Sequence, residues 1–142
     1  MITHWQELVL TSHLQTAQAI KDELANGNFE EAATGIEVLA EALGKSEKRA
    51  LRSQLIRLMT HIIKWKTQPQ MQNRSWAGSI ENARVEIEEL LEFEPSLRPA
   101  VPQLIVELFD KAKRVAEKEM GRQAAIFSLT WQDVFVDKYS VM

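Results

Sequence analysis

The side chains best placed to do chemistry fall in one stretch of the chain. Arg57, His61 and Lys64 follow one another at i, i+4 and i+7, a spacing that sets them on a single face of a helix. Trp65 sits at the edge of that face, and Arg74 and Trp76 follow after a short loop. Cations interleaved with aromatic rings are what a phosphate or nucleic-acid contact requires, because the cations neutralise charge while the rings stack on bases. A plainer reading is preferred: aromatics at helical spacing are usually core. Trp65 and Trp76 are then buried, His61 bonds a loop carbonyl, and Arg74 pairs with an acid such as Glu81.

Other chemistries find less support. Three histidines are present, His4, His13 and His61, without a His-x-x-x-His or Glu-x-x-His pairing, and cysteine is absent, so neither a metal centre nor any cofactor is expected. No Gly-x-Ser-x-Gly elbow and no glycine-rich phosphate loop occurs. Ser46 reads as a helix cap rather than a nucleophile. The run Glu86, Glu88, Glu89, Glu92 and Glu94 is interrupted by Ile87, Leu90 and Leu91 at helical spacing, and reads as a solvated acidic face rather than a catalytic pair. His61 and Glu41 are the best acid/base candidates that an enzyme reading retains, and the expectation is that the chain is not an enzyme.

The elements that must hold these residues are helices. Five glycines and four prolines in 142 residues are too few to punctuate a sheet-rich fold. With 45% hydrophobic residues the chain can build one real core, and its length fits a single domain over residues 1–142. A first helix is predicted from Thr3, capped through Gln6, to about Ala25, with Trp5, Leu8, Val9, Ala17, Ile20 and Leu24 as its apolar stripe. Asn26-Gly27-Asn28 ends it. Asn28, with Glu31 as box partner, opens a second helix whose inward face is Phe29, Ala32, Ile36, Leu39, Ala40 and Leu43, and Gly44 stops it. The two are expected to lie antiparallel.

A third helix runs from after Ser46 to about Lys66, with Leu51, Leu55, Leu58, Ile62 and Trp65 advancing by four and three as a buried seam that Met59 and Ile63 widen. Gln68-Pro69 closes it. A fourth covers roughly Trp76 to Phe93, facing inward through Ile80, Ala83, Ile87, Leu90 and Leu91. The Pro95–Pro102 stretch turns into a fifth, which begins near Pro99 to Pro102 and ends at Met120 with Gly121 closing it. Thr130 caps a short last helix carrying Trp131, Val134 and Phe135. The fold class is all-α: an antiparallel bundle of about five helices plus a short C-terminal one.

Charge is unevenly placed. The net charge is −3, yet Lys45 to Arg74 carries eight basic residues against Glu47 alone, leaving the rest strongly acidic. Such a segment is either an anion-binding face or a basic helix packed among acidic ones, the second being preferred. The opening residues lack the basic flank and apolar run of a signal peptide, and no window approaches the roughly 20 apolar residues of a membrane span, so a cytosolic protein is expected.

Three stretches carry a family resemblance. They are Leu43-Gly44-Lys45-Ser46-Glu47-Lys48-Arg49-Ala50-Leu51, then His61-Ile62-Ile63-Lys64-Trp65-Lys66-Thr67-Gln68-Pro69, then Arg74-Ser75-Trp76 followed by Ile80, Arg84, Ile87, Leu90-Leu91 and Pro95-Ser96-Leu97. In order and spacing they resemble the bacterial domain of unknown function 29 over residues 40 to 120. The resemblance implies a small all-helical protein and no assigned activity. Val38 and Leu39 stand where relatives carry acids, while Glu41 keeps one. With no catalytic motif, the functional expectation is a macromolecular interaction module whose partner is another protein or a second copy. Nucleic-acid or anion binding through the basic stripe is the alternative.

Overall fold

Helix-forming stretches with sparse punctuation give an all-α molecule, and the computed structural model describes residues 4–141 of it. The helices are α1 (Trp5–Thr11), α2 (His13–Ala25), α3 (Phe29–Thr67), α4 (Arg74–Phe93) and α5 (Val101–Met120). A 3-10 turn at Pro69–Met71, another at Pro95–Ala100 and a π-helical turn at Gln132–Val136 complete the order, and there is no strand among the described residues. No helix among these residues is long and apolar enough to cross a membrane. The chain divides into two compact units, residues 1–48 and residues 49–142.

In the first unit the predicted single helix is two. Ser12 takes an extended backbone (φ −161°, ψ 122°), and its hydroxyl accepts the Gln15 N–H at 3.1 Å, so it ends α1 and caps α2. Ser12-x-x-Gln15 has capping-box spacing inside what reads as a continuous apolar stripe, and the cap prevails there over the stripe. The Thr3 end of the predicted cap lies outside the described residues. Gly27 adopts the left-handed conformation (φ 77°) and lets the Asn28 N–H reach back to the Glu23 carbonyl at 2.8 Å, closing α2 as expected. The Asn28 side chain does not cap α3; it donates to the Glu23 carboxylate. Glu31, its predicted box partner, accepts the Trp5 indole N–H at 3.3 Å.

Trp5, Ile20 and Ala32 form the small core of this unit, with Leu8, Ala19, Val38 and Leu39 against it. Ala17 and Leu24, predicted to face inward, are exposed. The close approach is at Gly35, where a side chain would stand 2.7 Å from Ile20 Cγ1 and 2.8 Å from Trp5 Cη2.

The predicted break at Gly44–Ser46 does not occur: α3 is one helix of 39 residues that passes through both. A glycine inside a helix costs about 1 kcal/mol, less than leaving eight backbone groups without helical partners at two new ends. Ser46 is therefore mid-helix and caps nothing.

The second unit holds the main core. Leu51, Leu55, Leu58, Met59, Ile62 and Ile63 of α3 are fully buried against Ile80, Ala83, Ile87 and Leu91 of α4 and Leu104, Ile105, Leu108, Phe109, Ala112 and Ala116 of α5. The seam read from the sequence is this core. Asn73, rather than a residue nearer Trp76, sets the start of α4: its side chain accepts the Trp76 N–H at 2.9 Å. Gly121 closes α5 in the left-handed conformation (φ 69°), after which the C-terminal segment passes through the π-helical turn at Gln132–Val136. That turn is held by a reciprocal box, Asp133 N–H to Thr130 Oγ1 at 3.1 Å and Thr130 N–H to Asp133 Oδ2 at 2.8 Å. Val134 is fully buried, whereas Trp131 stays half exposed and its ring lies tilted against Phe135, centroids 4.6 Å apart.

Candidate functional site

The six residues singled out by spacing meet different fates. Arg57 is exposed, and the His61 ring nitrogen Nδ1 sits 2.9 Å from the Arg57 carbonyl of its own helix, not from a loop carbonyl. Lys64 is buried, paired with Glu119 of α5 and held 5.8 Å above the Trp76 ring. Trp65 is buried edge-on against Tyr139, centroids 5.9 Å apart. Trp76 is half-buried against the main core. Arg74 is exposed in the first turn of α4 and forms no ion pair with Glu81.

Four of the eight cations between Lys45 and Arg74 are neutralised within the chain: Lys45 by Glu41, Arg52 by Glu107, Lys64 by Glu119 and Lys66 by Asp133. The charge asymmetry of the sequence is, for these four, a basic helix among acidic partners.

What gathers around Lys64, Trp65 and Lys66 is a clamp on the C-terminal segment. Lys66 Nζ lies 3.0 Å from Asp133 Oδ1. Arg84 donates to the carbonyls of Val134 at 2.8 Å and Asp133 at 3.3 Å, and its guanidinium lies 5.4 Å from the Tyr139 ring centroid. The Tyr139 hydroxyl donates to the Asp133 carbonyl at 2.7 Å. Gln72, from the loop after α3, donates to the Trp65 carbonyl at 3.0 Å, and Thr67 reaches Met120 Sδ. The π-helical turn leaves carbonyls unpaired by the usual helical pattern, and Arg84 and Tyr139 supply their donors.

Electrostatics follow from this packing. Burial works against the Asp133 charge, but the Thr130 N–H and hydroxyl and the Lys66 ammonium outweigh it, so its pKa falls below the ordinary 3.8. Tyr139 is pushed up to about 12, first by burial and then by the Asp133 and Asp137 carboxylates, with Arg84 opposing. Sequence reading missed Gln72, Arg84, Asp133 and Tyr139. Of these only Asp133 left a local trace, the Thr130-x-x-Asp133 spacing.

Lys64, Lys66 and Arg84 are thus spent inside the fold, Arg57 and Arg74 stay exposed, and an apolar row is exposed as well. On α3 in the first unit, the predicted inward face is split. Ala32, Gly35 and Leu39 turn toward α1 and α2, while Phe29 (69% exposed), Ile36 (52%) and Leu43 (42%) stand in solvent with Ala33 and Ala40 between them. Phe29, Ala33, Ile36, Ala40 and Leu43 advance by four, three, four and three, the spacing of a coiled-coil seam. Over 14 residues it extends about 21 Å.

A second apolar feature belongs to the other unit. A shallow groove of about 340 Å³ runs between α4 and the C-terminal segment, floored by Val85, Leu91, Trp131 and Phe135 and edged by the Arg98–Glu88 pair. Among the described residues, no group of three or more His, Cys, Asp or Glu side chains is placed to hold a metal ion.

Comparison with known proteins gives one result. The family model described as Domain of unknown function DUF29 matches residues 15–135. No curated protein and no solved structure gives a match.

Proposed function

From a chain that belongs to the family Domain of unknown function DUF29, and so takes no activity from its kinship, we propose a non-enzymatic module that works in the cytosol by binding another protein. The observation that carries this reading is the seam Phe29-Ala33-Ile36-Ala40-Leu43. Scattered exposed hydrophobics are ordinary, but a row of them at regular coiled-coil spacing along one helix marks a surface built to be covered. Burying the exposed parts of Phe29, Ile36 and Leu43 against a partner contributes about 1.5–3 kcal/mol each at most, a favourable share to set against the entropic cost of association. The polar residues argue the same way from the other side. Of the basic stripe, Lys64 and Trp65 are occupied by Glu119 and Tyr139, and the neighbouring Lys66 by Asp133, which leaves Arg57 and Arg74 exposed.

The test is capture of partners from a lysate of the source cells by the tagged full chain, with and without nuclease. It compares the wild type with Ile36→Glu and Arg57→Glu. The reading expects proteins that persist through nuclease, are kept by Arg57→Glu and are lost with Ile36→Glu. Capture that disappears with nuclease and with Arg57→Glu, while Ile36→Glu leaves it intact, would overturn it in favour of nucleic acid.

A further inference from the structure

The seam on α3 also carries information about what covers it. Its periodicity fits an α-helical occupant. Residues repeating at alternate steps of four and three stay in line only along a helix, and they are matched by the same repeat on another helix. Its side chains alternate large and small, Phe29, Ala33, Ile36, Ala40, Leu43, which leaves hollows over Ala33 and Ala40 for the occupant's own large residues.

The two edges of the seam are unlike. Along one edge lie Ala32 and Leu39, which pack toward α1 and α2. Along the other stand Glu30 and Glu37, exposed, with Glu41 exposed just beyond, paired only with Lys45 at the surface. No basic residue occurs between Phe29 and Leu43. The open edge is therefore uniformly acidic.

Resting on the protein-binding reading, we propose that the occupant is an amphipathic helix of another protein. Its apolar face is a coiled-coil stripe, and its flank toward Glu30 and Glu37 is basic. A second copy of this chain is a poor occupant for two physical reasons. Laid antiparallel, it sets its own Glu30 and Glu37 against the same acids. Laid parallel, it must lodge its α1 and α2 where the acidic edge stands. Flanking charges of this kind choose partner and orientation in paired helices.

The experiment uses the full chain and three synthetic peptides of three heptads, each labelled for fluorescence anisotropy. One has Leu at the seam positions and Lys on both flanks, the second has Glu on both flanks, and the third has the Lys composition with its apolar residues scrambled. The Lys-flanked helix is expected to bind about tenfold more tightly than the Glu-flanked one at low salt, the size given by two or three exposed ion pairs. That preference shrinks at high salt. Glu30→Lys with Glu37→Lys reverses it, the scrambled peptide does not bind, and Ile36→Glu abolishes binding. Ile36→Ser serves as a second variant, and circular dichroism verifies that each variant keeps its helix content.

Equal binding of both flanked peptides, lost with Ile36→Glu, overturns the basic partner but leaves a helix-binding seam. A wild-type dimer in sedimentation that Ile36→Glu dissociates overturns it in favour of a second copy. Binding that Ile36→Glu does not alter, or no binding of any peptide, removes the helix from the seam altogether. The lysate capture then decides separately whether the protein-binding reading stands.

Discussion

Two glycines in the same helix, nine residues apart, should answer oppositely to the same substitution. Replacing Gly44 with Ala adds a methyl group that meets nothing within 4 Å. The helix then gains the ordinary difference in propensity, about 1 kcal/mol, because alanine loses less backbone entropy on folding. Replacing Gly35 with Ala brings the same gain, but its Cβ stands 2.7 Å from Ile20 Cγ1 and 2.8 and 2.9 Å from Trp5 Cη2 and Cζ2. Those neighbours cannot swing aside: Cγ1 is a branch atom inside its side chain, and the Trp5 ring is buried and tied by its N–H to Glu31. Restoring van der Waals distance requires a shift of most of an ångström, and overpacking of that kind costs about 1–3 kcal/mol. Gly35→Ala is therefore expected to be less stable than Gly44→Ala by about 1–3 kcal/mol, and to lie at or below the wild type. Because Gly35 and Gly44 both belong to the first unit, amide hydrogen exchange of α2 and the first half of α3 reads the effect locally, whatever the rest of the chain does. If Gly35→Ala slows exchange as much as Gly44→Ala does, the close packing of α1 and α2 on Gly35 is not how this unit is built.

Further outcomes concern the clamp on the C-terminal segment. Tyr139 is the chain's one tyrosine, so its phenolate absorbance titrates alone; it should ionise at about 12 in the folded protein rather than near 10. Stability owed to this shift is complete below pH 10 and lost as pH rises from 10 through 12, and a folded-state titration near 10 would mean that Tyr139 is not packed on Trp65. Asp133 runs the other way: its depressed pKa means stability present above the ordinary 3.8 and lost as pH falls through the folded value. Asp133→Asn keeps an acceptor for the Thr130 N–H but loses the Lys66 pair, so it should cost about 1 kcal/mol near neutrality and progressively less below pH 4, as measured by urea unfolding at several pH values. Gly121→Ala forces a left-handed backbone on a residue with a Cβ and should lose about 1 kcal/mol in the same assay, although that Cβ would touch nothing.

Much of the molecule is legible in one dimension because the physics is local. Gly27 and Gly121 end helices by a backbone conformation that glycine tolerates best, and Pro69 ends α3 through the geometry of the residue before it. The seam from Leu51 to Trp65 is core because its period matches the helix over four turns. Local signals also compete. At Ser12 a cap outweighs a continuing stripe, whereas at Gly44 a continuing helix outweighs a poor helix former, and the sequence states both contenders without stating the winner.

Read alone, the amino-acid sequence establishes that this protein is all-α, where most helices begin and end, and which side of each is apolar. It could not determine what stands opposite that side. Phe29, Ala33 and Ile36 advance by four and three as Leu51, Leu55 and Leu58 do, yet the first set is exposed and the second is fully buried. Lys64 and Lys66 look like free cations until Glu119 and Asp133 arrive from 55 and 67 residues away. Periodicity is a property of one helix, but coverage and charge pairing are properties of two segments distant in sequence. Only the folded chain brings the second segment to the first.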